Sequence, residues 1–258
     1  MRRFLQFATA TFLITALAPS YAKPKNDKPQ REDVEWMWQY GADDRNKDGR
    51  ENDLVQDPRF RPFLEQVLTA PQTFWGVPIN GKYKTLAETA YDYLSVPGSV
   101  HADENRYLTI TGHVFHFAPA RGLLWIDLNG KHHLVAFAAI DWTKQGRPTT
   151  DPAAEYTLWL FSNDPLTTAG PGAGPEHVPA ALTRSIAQWA AKPLPGLSYV
   201  QNITHAVLVD PDGTPHEIPP AALGIRPVSK DTVEPQQQQQ RQQQQPEQQT
   251  PPTLAPRN

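Results

Sequence analysis

No cysteine occurs anywhere in the chain. That absence excludes disulfide staples, a thiol nucleophile and a thiol-anchored lipoprotein, so the fold must be held by its core alone. An excess of either charge is lacking as well, since 24 Lys and Arg stand against 27 Asp and Glu. So weak a negative balance leaves no electrostatic footprint for nucleic acid or for an anionic membrane. The signatures of common enzymes are missing too. There is no Gly-x-Ser-x-Gly elbow, no His-Glu-x-x-His, no phosphate-binding loop and no glycine-rich dinucleotide fingerprint. No internal repeat is visible.

What is present begins with an address. Arg2 and Arg3 precede an apolar run from Phe4 to Ala18, and Ser20-Tyr21-Ala22 stands before Lys23. Basic start, apolar run and small-x-small site are the three parts of a secretory signal peptide, residues 1–22, cleaved after Ala22. The run is too short for a comfortable transmembrane helix, so the expectation is a secreted or periplasmic protein with no membrane span after cleavage. Residues 23–33 are charged and free of apolar side chains, which reads as a flexible leader. Residues 229–258 include QQQQQRQQQQPEQQ and PPTLAP, the composition of a disordered Gln/Pro-rich tail. A single domain is expected between them, over 34–228.

Within that domain the periodicities predict an α+β fold. Phe60, Phe63, Leu64, Val67 and Leu68 form one apolar stripe of a helix opened by Asp57-Pro58. A second helix is expected from about Thr85 to Leu94, ended by Pro97-Gly98. Four runs rich in β-branched and aromatic residues follow over 107–162, with Arg121-Gly122 and Asn129-Gly130 as turn signals. A helix near 179–190 carries Ala181, Leu182, Ile186 and Trp189 on one face, and a last strand occupies 203–209. The expectation is an antiparallel sheet of about five strands, a meander over 107–162 plus 203–209, with the helices on one side. Phe115, Phe117, Trp125, Phe137, Trp159 and Phe161 lie opposite Leu108, Ile110, Leu124 and Leu158, so the second face also needs cover.

Three groups of residues are candidates for function. Asp44, Asn46 and Asp48, followed by Gly49, resemble the first half of an EF-hand or dockerin-type calcium loop, where hard oxygen ligands alternate before a sharp glycine turn. The resemblance implies calcium as a possible cofactor. It stops at that half: Val55 stands where the closing bidentate Glu belongs, and Asp53 or Glu51 would have to substitute. His113, His116 and Asp141 are the candidates for general acid–base work, because a His–Asp pair in a dry cleft can move protons near neutral pH. His113 and His116 are three apart in an expected strand and should face opposite ways, while either could meet His133 across strands. Trp36 and Trp38 alternate with Tyr40 and could form a short strand, a clasp on the core, or a platform for ligand stacking.

The leading expectation is an exported envelope protein that binds a partner or small ligand without catalysis. The alternatives are a periplasmic hydrolase with a His/Asp site on the sheet, and a calcium-stabilised structural or assembly protein.

Overall fold

The computed structural model of the chain describes residues 34–41, 50–71, 81–129, 133–143, 147–166 and 178–226. The chain enters through three short helices, α1 (Glu35–Trp38), α2 (Glu51–Gln56) and α3 (Phe60–Val67), followed by α4 (Leu86–Tyr93). Strands β1 (Val96–Asp103), β2 (Tyr107–Val114), β3 (Phe117–Asp127), β4 (Leu134–Trp142) and β5 (Glu155–Ser162) come next, then α5 (Ala180–Ala190), β6 (Asn202–Val209), β7 (Pro215–Ile218) and a 3₁₀ turn (Pro220–Leu223). All seven strands form one sheet in the order β1-β2-β3-β4-β5-β6-β7. The fold is mixed α+β, with two more strands than expected from the sequence, β1 and β7.

Both faces of the sheet are covered. On the front, α1 to α4 pack a core with Leu108, Ile110, Leu124, Phe137 and Phe161. On the rear, α5 and the 3₁₀ turn pack on Leu123, Trp125, Ile140, Leu158 and Leu208. The expectation of helices on one side only is thus corrected, and the cover required by strands apolar on both faces is a second helical layer. That layer also explains the one departure from an antiparallel sheet. Strands β5 and β6 are parallel. A parallel neighbour needs a long crossover, and α5 is part of it.

The helix ends follow local chemistry. Thr85 and Glu88 form a reciprocal capping box at α4, with Thr85 Oγ1 accepting from Glu88 N at 3.1 Å and Glu88 Oε2 accepting from Thr85 N at 2.8 Å. Helix α3 starts at Phe60, and Asp57 still serves its first turn by accepting the Arg59 backbone N–H at 2.9 Å. Phe60, Phe63, Leu64 and Leu68 are buried, as their spacing predicts.

Three further readings need correction. The Trp36–Tyr40 segment is a helical turn rather than a strand, with Met37 fully buried beneath it. Tyr107 to Phe117 is not one strand, because Phe115 and His116 form the β2–β3 turn and His116 takes φ 60°. Phe115 is accordingly 64% exposed, and Phe117 lies at the margin of the sheet. Arg121-Gly122 is no turn at all and lies within β3. The hairpin expected at Asn129-Gly130 exists as the β3–β4 pairing of Asp127 with Leu134, and its tip, 130–132, lies outside the described residues.

Asp57 ties the amino-terminal helices together. Its carboxylate accepts from the Tyr40 hydroxyl at 2.7 Å and from Arg59 Nε and Nη2 at 2.9 and 2.6 Å. The Arg59 hydrogen bonds hold its pKa far below the usual carboxylate range, against the opposing effect of burial. A carboxyl whose pKa is depressed in the folded state stabilises above the unfolded-state pKa, about 4, and loses that contribution as pH falls. Asp57→Asn is expected to cost about 2 kcal/mol at pH 7, discounted because Arg59 is half exposed. In urea melts the gap to the parent should narrow steadily below about pH 4; a gap constant down to pH 2 would refute the linkage.

Candidate functional site

Arg121 is the least expected residue of the core. Its place on β3 directs its side chain to the rear face, where it pairs across the strands with His113 on β2 and Ile140 on β4. The residue is only 4% exposed. Nε donates to Gln201 Oε1 at 2.6 Å, Nη1 donates to the Lys192 carbonyl at 3.1 Å, and the guanidinium lies 5.3 Å from the Trp189 ring centroid. Nη2 is buried and has no acceptor. Among the described residues no carboxylate forms an ion pair with Arg121. Burial therefore pulls its pKa down to about 10, which leaves it charged at neutral pH.

Around it polar side chains stand among Trp189, Pro193 and Pro195. Gln201 is held in turn by donating Nε2 to the Pro119 carbonyl at 2.7 Å. The Tyr156 hydroxyl is buried close to Gln201 and Tyr199, without a hydrogen bond of proper geometry, and burial pushes its pKa up. His113 is pushed down, first by burial and then by the neighbouring Arg121 charge. A cavity of about 180 Å³ opens beside Arg121, lined by Ser99, Thr111, His113, Trp189 and Lys192. The Ser99 and Thr111 hydroxyls are 2.9 Å apart and hydrogen-bonded.

A second concavity lies on the front, where the helices do not reach β5 to β7. It is a shallow groove of about 470 Å³ with Trp159, Val207 and Pro215 in it, flanked by His205 and Glu217. The Thr143 and Thr157 hydroxyls meet there at 2.8 Å.

The residues singled out from sequence are dispersed. His113 lines the Arg121 cavity. Asp141 does not approach it: Arg121 shares a face with Ile140, so Asp141, the next residue on β4, points to the front. There Asp141 accepts the Trp142 N–H at 2.8 Å and lies by the Tyr93 hydroxyl, whose pKa is driven up by burial and then by that carboxylate. His116 sits in the β2–β3 turn with its ring against Phe115. His133 is at the far end of β4, and β3 separates β2 from β4, so neither His113 nor His116 meets it. Trp36 and Trp38 pack on the front core, and Arg59 lies 4.4 Å over the Trp36 ring. Of the calcium candidates, Asp44, Asn46 and Asp48 lie outside the described residues. Asp53 is on α2 within 3.8 Å of Arg50, and Glu51 Oε2 is shielded without a donor. Among the described residues no three His, Asp or Glu side chains converge as a metal site.

Two features went unread in the sequence. A His–acid pair does exist, between His216 Nε2 and Asp210 Oδ2 at 2.8 Å, flanking the β6–β7 turn. The turn signal Asp210-Pro211-Asp212-Gly213 was visible, and a short hairpin after it would have placed Asp210 near His216. Arg121 had no such signal, because its partners Lys192 and Gln201 are distant in sequence.

Among the described residues no helix is long and apolar enough to cross a membrane. Comparison of the chain with protein-family models, with curated proteins and with solved structures finds no match.

Proposed function

We propose that the mature chain is an exported, non-catalytic binding domain that takes a small ligand into the cavity beside Arg121. One observation carries the reading: Arg121 lines a cavity with a buried guanidinium that, among the described residues, has no counter-charge. Burying an unpaired cation costs several kcal/mol, and a structural role alone is served better by an apolar residue or an ion pair. Perturbed groups of this kind gather at functional sites. The binding reading is favoured over a hydrolase because the cavity's histidine faces a cation, which weakens it as a base, instead of a carboxylate that would strengthen it. The amino-terminal sequence supports export, and calcium at the Asp44–Asp53 segment would be an additional, structural element.

Two measurements test the proposal. Mass spectrometry of the protein recovered from the periplasm or medium should give a chain starting at Lys23; a chain retaining Met1 to Ala22 would sink the export part. A small-molecule library screened by thermal shift should contain compounds that stabilise the mature chain. Those compounds should lose their effect on Ser99→Trp, which fills the cavity from its wall. An equal response of Ser99→Trp would place the binding elsewhere and refute this site.

A further inference from the structure

We infer that the front groove over β5 to β7 is a second ligand site, which takes an organic ammonium ion against Trp159 with its charge towards Glu217. The groove lies on the opposite face of the sheet from the Arg121 cavity, so the two sites stand or fall separately.

The strand register builds the groove. Trp159 pairs with Val207 across β5 and β6, and Val207 pairs with Glu217 across β6 and β7. Residues paired across strands share a face, so the three side chains stand in one row on the front. Trp159 and Glu217 are two strand spacings apart, about 10 Å between their backbones. Val207, smaller than either, is the floor of a trough walled by an indole and a carboxylate, with Pro215 at its margin. Trp159 and Val207 also pack on the front core, which fixes the wall and the floor. The volume of about 470 Å³ is that of a small-molecule site, and an apolar lining with a few polar groups is the usual composition of one.

Charge decides the occupant. Glu217 is the one carboxylate in the lining, and neither Lys nor Arg lines the groove. Among the described residues Glu217 forms no ion pair. Asp141 adds negative charge on the same face, because it pairs with Thr157, which lines the groove. The other ionisable side chain in the lining, His205, is two residues from Val207, about 7 Å along β6. Trp attracts a cation more strongly than any other ring, and the alkyl groups of an ammonium ion bring apolar surface for Val207 and Pro215. A metal ion would leave that apolar surface unused, and among the described residues no three acidic or His side chains converge to hold one. A neutral ligand would gain nothing from the charge of Glu217.

The test uses the mature full-length chain, titrated by NMR with choline chloride and with butylammonium chloride at constant ionic strength. Dimethylbutanol, the uncharged isostere of choline, is the control. At least one ammonium should bind saturably and shift the backbone amides of Trp159, Val207 and Glu217 most. A response confined to choline assigns a quaternary ammonium, and one confined to butylammonium assigns a primary amine. Dimethylbutanol should bind more weakly, and Glu217→Gln should weaken the ammonium roughly five-fold, the scale of an exposed ion pair. Glu217 is exposed, so that variant should keep the melting temperature of the parent. Ser99→Trp, which fills the rear cavity, should bind the ammonium as the parent does. The inference is overturned if neither ammonium binds, if dimethylbutanol binds as well as choline, or if Glu217→Gln binds as the parent does. Loss of binding in Ser99→Trp, or shifts centred on Arg121, would move the ammonium to the rear cavity and overturn it as well. Groove amides that shift with protein concentration, together with a dimer in sedimentation, would give this face to a second copy of the chain instead.

Discussion

Gly122→Ala is expected to destabilise the protein by about 3 kcal/mol, the upper part of the range for an added methyl in a tight core. A Cβ at position 122 would lie 2.8 Å from the Tyr93 Cβ and 2.9 Å from the Tyr93 carbonyl oxygen. Those neighbours belong to the end of α4 and cannot rotate away. Gly112, paired with Gly122 across β2 and β3, meets the same obstacle, at 2.8 Å from the Leu94 Cα. Together the two glycines make a notch that seats the end of α4 directly on the sheet. Relief of the clash would lift Tyr93 off Phe137, whose ring it meets edge-on at 6.3 Å. Urea denaturation should show a lower midpoint at an unchanged slope. A loss under about 0.5 kcal/mol would mean that α4 does not sit in the notch.

Phe137→Ala should cost more, about 4 kcal/mol, as for other fully buried aromatics. Phe137 has no exposed surface, and its ring joins Tyr93 on α4 to Phe161 on β5, stacked at 6.3 Å with the planes 20° apart. The side chain thus spans the front core from helix to sheet, and backbone cannot collapse into its space because β4 is paired on both sides. Phe137→Leu should lose less than half as much, since most of the volume remains. Equal losses in the two variants, measured by denaturation, would show that ring geometry rather than volume sets the cost.

The parts of this fold that were legible in the sequence are those whose cause is local. The stripe from Phe60 to Leu68, the Thr85 start of α4, the buried face of α5 and the apolar alternation of β5 follow from side-chain period and capping alone. The errors came from residues with two uses. Arg121-Gly122 and Pro97-Gly98 carry turn residues, yet Gly122 serves a close approach, and Pro97 lies in β1, at the edge of the sheet. Pro215 begins β7 at the other edge in the same way. The direction of β6 and the burial of Arg121 were out of reach, because both depend on pieces brought from far along the chain. Of the candidate site, only His113 was named from sequence; Arg121, Tyr156 and Gln201 acquire their meaning by juxtaposition.

The parallel pairing of β5 with β6 also sets an order of assembly. Val100 pairs with Ile110 and Ile110 with Leu124, short closures that cost little chain entropy. Leu158 pairs with Ala206 only after the whole α5 crossover has closed, and closures of that length delay folding. Lys192 and Gln201, which hold the guanidinium of Arg121, both lie on that crossover. Until it docks, Arg121 stands in water on a half-finished sheet and pays no desolvation cost. The most expensive charge of the fold thus stays hydrated for as long as possible, and the cavity is completed last.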